Sequence, residues 1–246
     1  SGGLIPARTA ILAPCNNGSG WVPAPQINSS GYYYTNISAL SEQVRQNPFY
    51  LGDPCKFLDQ FLGLARFQVP QPVIDRLAQV NQAYLNTTDL SLLQYIESPC
   101  YLQDINDAAS AVVNFDYFPI HIKTLPTVNG ILWTPQQLFE YFRLNWNNFV
   151  DVGIASFTPY HNSIINDEPL WNSTNPITAM LHLDMALNGT VILSHFESSQ
   201  DQAKMIVTTI RTPLDGLHPV SGNRSWGIMP DTGPAGGYNF YTSGVD

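Results

Sequence analysis

His182, Asp184 and His195 are the residues of this chain whose types and spacing could do chemistry together. Between them lies Asn188-Gly189, a strong hairpin signal because both residues tolerate the positive φ of a type I′ turn. A two-residue loop flanked by Leu187 and Thr190 pairs Ala186 with Val191, Asp184 with Leu193, and His182 with His195. Strand alternation then puts Leu181, Leu183, Met185, Leu187, Ile192, Ser194 and Phe196 on one face, and His182, Asp184, His195 and Glu197 on the other. Directly opposed strand residues have Cβ atoms about 4.5–5.5 Å apart, which suits a facial site for zinc or non-haem iron. Without a metal, one histidine could act as a base oriented by Asp184. A divalent metal is the one cofactor the pattern admits. A metal-free, solvated sheet face is the plainer expectation, because no second signature accompanies the trio.

Nucleophiles to complete a hydrolytic site are poorly placed. Ser194 points away from His195, and Ser221 lacks the Gly-x-Ser-x-Gly elbow. Cys100 is more ordinary as a buried or bridged cysteine. A second cluster, Asp215, His218 and Arg224, surrounds the Ser221-Gly222-Asn223 turn. Arg224 there is expected to pair with Asp215 and fix the loop, or to hold an anionic ligand. Tyr160, Trp171 and Trp226 complete the ligand-binding candidates, with the first two as anchors or lids of a long loop.

The elements that must position these residues fall into three parts. Residues 1–48 read as an irregular arm, punctuated by Pro6, Pro14, Pro23 and Pro25, with a short strand at 32–35 and a helical turn from Ser41. Residues 49–246 read as one domain. Its part 53–149 is helical: Asp53-Pro54 caps the first helix, Val73, Ile74, Leu77, Val80 and Tyr84 mark the second, 90–96 the third, and 100–113 the fourth. An edge strand or connector with Pro119 follows at 115–123, then a short strand at 131–133 and a Thr134-Pro135-capped amphipathic helix. A loop spans 150–176. The part 177–246 reads as a β-meander: the hairpin, then strands at 203–212, 219–228 and 238–245. The expected class is α+β, a helical N-terminal half packed on a C-terminal antiparallel meander of about five strands.

Composition bounds the function. The chain has 246 residues, 44% hydrophobic but only 12% charged, with 10 Lys+Arg against 19 Asp+Glu and a net charge of −9. That acidity, with no basic cluster, argues against nucleic-acid binding. No apolar run has the roughly 18 residues of a membrane span. The start at Ser1-Gly2-Gly3 reads as a cleavage product or an added segment. Low Lys content and many Asn and Tyr residues lean towards a secreted or cell-surface chain, in which Cys55 and Cys100 are the expected disulfide pair. Sequons stand at Asn17, Asn28, Asn36, Asn86, Asn172, Asn188 and Asn223, a number that a chain this rich in Asn, Ser and Thr produces from composition.

The block Gly216-Leu217-His218-Pro219-Val220-Ser221-Gly222-Asn223-Arg224, with Tyr238-Asn239-Phe240-Tyr241-Thr242-Ser243-Gly244-Val245-Asp246, resembles one found in uncharacterised bacterial proteins. There His-Pro-Val-Ser-Gly-Asn-Arg precedes a Phe-Tyr-Thr strand, and the chain continues further. The resemblance covers roughly thirty residues and implies no activity. Two functions stay open. One is a binding or interaction domain for a protein or glycan. The other is a hydrolase or metal-dependent enzyme using His182, Asp184 and His195.

Overall fold

The computed structural model describes residues 11–13, 20–22, 63–64, 66–88, 99–104, 107, 115–185 and 187–246. The predicted helices at 53–64 and 90–96, and the elements expected at 32–35 and after Ser41, lie wholly or almost wholly outside these residues. Within the arm expected to be irregular, β1 (Ile11–Ala13) pairs antiparallel with β2 (Gly20–Val22).

The described chain is mostly sheet, which overturns the expected helical half packed on a five-stranded meander. One eight-stranded antiparallel sheet dominates. Its strands are β3 (Tyr101–Leu102), β4 (Phe115–Ile122), β7 (Ser156–Pro159), β8 (Met180–Asp184), β9 (Gly189–Ser198), β10 (Ala203–Arg211), β11 (Asn223–Pro230) and β12 (Tyr238–Val245). The order is β4-β12-β11-β10-β9-β8-β7, with β3 on the end of β10. The consecutive run β8 to β12 is the predicted meander. It grows at both ends, by β4 beside β12 and β7 beside β8. Pro119 sits in an edge strand, where a missing N–H costs no ladder bond.

Two expectations fail for local reasons. The segment from Cys100, read as helix, is extended because the Asn81 side chain grips its backbone. Asn81 Nδ2 donates to Cys100 O at 2.9 Å, and Cys100 N donates to Asn81 Oδ1 at 2.6 Å. Leu102 then pairs with Ile210. The loop at 150–176 contains β7, whose outer edge is covered in the same way. Asn147 Nδ2 donates to Phe157 O at 2.9 Å, and Phe157 N donates to Asn147 Oδ1 at 2.8 Å. A side-chain amide thus stands in for a neighbouring strand on an otherwise open edge.

Helices cover both faces of the sheet. On one face lies α1 (Gln71–Leu85), begun by Pro70 and Pro72 and burying Val73, Leu77, Val80 and Tyr84 at helical spacing. These side chains pack with Tyr160, Met180, Ile192 and Ile210. On the other face lies α2 (Pro135–Leu144), opened by a capping box in which Gln137 N donates to Thr134 Oγ1 at 3.2 Å and Thr134 N donates to Gln137 Oε1 at 2.9 Å. Phe139 and Phe142 pack there with Trp146 of a 3-10 turn (Trp146–Asn148), Trp171 of α3 (Glu168–Trp171), Leu181, Leu193 and Met205. Arg143, only 1% exposed, bonds Glu140 and the carbonyls of Trp171 and Ser173, so it ties α2 to α3.

Candidate functional site

β8 and β9 pair as the expected antiparallel hairpin, but the two-residue turn at Asn188-Gly189 does not form and the register differs. The same signal at Asn129-Gly130 makes the two-residue turn with φ of 52° and 78°, joining β5 (Thr127–Val128) to β6 (Ile131–Leu132). Gly189 is instead a strand residue opposite Leu183, and His182 faces Thr190 rather than His195. Gly189 leaves no room for a side chain: an added Cβ would lie 2.2 Å from Cδ2 of the buried His218 ring. His195 is therefore five residues further along β9, about 16 Å at strand rise. A bulge beside Val207 redirects it to an edge contact with Phe67 and an ion-pair distance of 3.4 Å from the exposed Glu197. Asp184 is exposed at the end of β8. The three do not converge, and among the described residues no group of three His, Cys, Asp or Glu could hold a metal.

His182 instead meets Asp215, a partner the sequence reading gave to Arg224. His182 Nδ1 lies 2.9 Å from Asp215 Oδ2, with the carboxylate side chain 2% exposed and the imidazole 23% exposed. Asp215 is held by the turn Thr212–Gly216, where Gly216 has φ of 70° and Asp215 N donates to Thr212 Oγ1 at 3.2 Å. Thr190 Oγ1 also donates to Asp215 Oδ2. The chain continues through Thr212 Oγ1, 3.0 Å from Thr190 Oγ1, to the Tyr160 hydroxyl. Tyr160 lies 2.9 Å from the Tyr84 hydroxyl, which accepts from Asn162 Nδ2 at 2.6 Å.

A carboxylate only accepts, so Thr190 gives its proton to Asp215 and accepts from Thr212, while Asn162 Nδ2 donates to Tyr84 at the far end. Burial raises both tyrosine pKa values, so the phenols keep the protons they donate. Ordered this way, the Thr190 and Thr212 hydroxyls are polarised towards Asp215 and support its charge.

The other candidates serve the fold. Arg224 pairs with Asp246 at 2.9 Å, not with Asp215. His218 is 5% exposed and its N–H donates to Gln103 Oε1 at 2.7 Å. Gln103 Nε2 in turn donates to His218 O at 2.6 Å and Ser221 Oγ at 2.8 Å. Ser194 is locked in a buried ladder with Thr208 and Asn223, the last donating to Leu64 O at 3.1 Å. Tyr160 is fully buried, Trp171 is 5% exposed, and Trp226 packs edge-on to Trp146 at 4.6 Å. Cys100 is a free, buried thiol, so the expected Cys55–Cys100 disulfide is absent; Cys55 lies outside the described residues. Burial pushes the Cys100 pKa up to about 12, which removes it as a nucleophile.

A cleft of about 440 Å³ opens beside β7, lined among others by Leu144, Trp146, Phe157, Glu168, Trp171 and Asn172. The ring of Phe157 stacks on Trp146 at 4.3 Å, and Trp171 lies beyond at 5.9 Å. Leu144 of the cleft is itself exposed (47%), and α2 and the loop after it also expose Tyr141 (44%), Phe149 (51%), Val152 (64%) and Ile154 (73%). Tyr141 and Phe149 touch edge to face at 6.1 Å. The sequence reading missed this shelf. The helical period of α2 was its visible trace, with Tyr141 and Leu144 lying off the Phe139–Phe142 face.

Compared with known protein families and with curated proteins, the chain matches none.

Proposed function

We propose that this protein is a binding domain that recognises a protein partner, at the cell surface or outside the cell. The observation that carries the reading is the set of exposed apolar residues Tyr141, Leu144, Phe149, Val152 and Ile154, of which Leu144 lines an open cleft and Tyr141 touches Phe149. Contiguous exposed apolar side chains next to a concavity are what protein partners use, with an aromatic or aliphatic anchor seated in the pocket. The cleft wall is stiffened by the Phe157–Trp146 stack and by Arg143, so little ordering cost accompanies binding.

A glycan ligand draws less support. Asn145 and Asn147 line the cleft, but their amides are engaged within the fold, with Tyr141 O at 2.8 Å and the Phe157 backbone. The extracellular setting rests on the Lys-poor, Asn- and Tyr-rich composition; the sequons at Asn86, Asn172 and Asn188 are exposed. Asn223 is 1% exposed inside the Thr208 ladder and is no acceptor for a glycan.

The test is selection of a random peptide library on the folded protein, then calorimetry with a selected peptide. Leu144→Ser and Phe149→Ser should each weaken binding about tenfold or more, as loss of an anchor does. Their unfolding midpoints should stay close to the parent's. No enrichment, or affinities unmoved by both substitutions, would overturn the reading.

A further inference from the structure

We propose that His182 and Asp215 form a general-base site that hydrolyses small neutral carboxylic esters. This activity is separate from partner binding. The geometry supplies the tautomer. Asp215 can only accept, so the proton between them resides on His182 Nδ1, and the Nε2 lone pair is left as the base. Asp215 Oδ2 is held in place by a hydrogen bond from Thr190 Oγ1 as well as by the His182 contact. The imidazole is held from the buried side and reaches solvent on the other, as an orienting carboxylate and a working base require.

The substrate class follows from charge and from magnitude. Asp215 and the nearby Asp184 on the same strand face as His182 repel phosphate esters and other anions. A positioned base contributes roughly 10²–10⁴-fold, enough for an ester whose leaving alkoxide departs readily and too little for an amide. In the step, Nε2 takes a proton from water as the water oxygen adds to the carbonyl carbon. The tetrahedral adduct then expels the alcohol, which takes that proton from the imidazolium. One ester and one water give one acid and one alcohol, and the histidine is regenerated.

The test uses p-nitrophenyl acetate with the full chain, His182→Gln and Asp215→Asn. Gln can keep an N–H directed at Asp215 without a base. Asn turns the interaction round: its N–H donates to Nδ1 and moves the histidine proton to Nε2, with little change in volume. The wild-type rate should exceed that of free imidazole at equal concentration, and both variants should fall at least tenfold with unchanged circular dichroism. A wild-type rate no higher than free imidazole, or either variant at the wild-type rate, overturns the proposal. If a variant fails to fold, carbethoxylation by diethyl pyrocarbonate followed by peptide mapping decides on the wild-type protein. Modification of His182 at Nε2 that abolishes turnover supports the site, and turnover surviving full modification overturns it.

Discussion

His218 should make this protein sensitive to mild acid. Its ring lies against Gly189 with Nε2 buried and without a hydrogen-bond partner, so a proton there would be both charged and unsatisfied. Burial holds its pKa down from 6.5 to about 4, outweighing the upward pull of the Val220 carbonyl and Asp215, while Arg224 pushes the same way as burial. Between those two values the unfolded imidazole carries a proton and the folded one does not. Stability therefore falls as pH is lowered through that window and levels off below it. The interval from 6.5 to about 4, at about 1.36 kcal/mol per pH unit, gives at most about 3 kcal/mol. Urea unfolding from about pH 7.5 to about pH 4.5 measures this for wild type and His218→Gln, and the difference between the curves removes the carboxylates common to both. Wild type should lose most of those 3 kcal/mol relative to the variant. Parallel curves, or a wild type that gains stability on acidification, would refute the argument.

Other perturbations read other parts of the structure. Gly189→Ala drives a Cβ into the fixed His218 ring and should cost about 1–3 kcal/mol in chemical denaturation, as overpacking does. Trp146→Ala empties the stack between Phe157 and Trp171 and should cost about 3–5 kcal/mol by the same assay. Thr134→Ala removes the capping box of α2 at a cost near 1 kcal/mol, visible as a lower urea midpoint. Cys100, buried and with its pKa raised to about 12, should resist iodoacetamide in the native state and label only on unfolding, as peptide mapping would show.

What the sequence disclosed follows from how local each signal is. The 3.6-residue period of Val73 to Tyr84, the Thr134-Pro135 cap and the alternating strands from Ala203 onwards are local, and each forms within a few residues of expectation. Pro119 marked an edge strand for the same reason. The Asn-Gly pairs at 129–130 and 188–189 show the limit. Both carry the turn chemistry, but Asn129-Gly130 has no competing contact, whereas Gly189 is claimed by a histidine 29 positions later in the chain. The observed register differs from the expected one by five residues, and Asp215 rather than His195 is the partner of His182. The Asn81 and Asn147 clamps were illegible too. An amide that grips a distant backbone looks in sequence like any polar surface residue.

The central claim is that the shelf and cleft beside β7 form an interaction surface. NMR chemical-shift mapping with a library-selected peptide tests it most directly. Perturbations should concentrate at Tyr141, Leu144, Phe149 to Ile154 and Trp171, with the α1 face of the sheet unaffected. Perturbations centred on α1 or on β4, with the shelf silent, would contradict it.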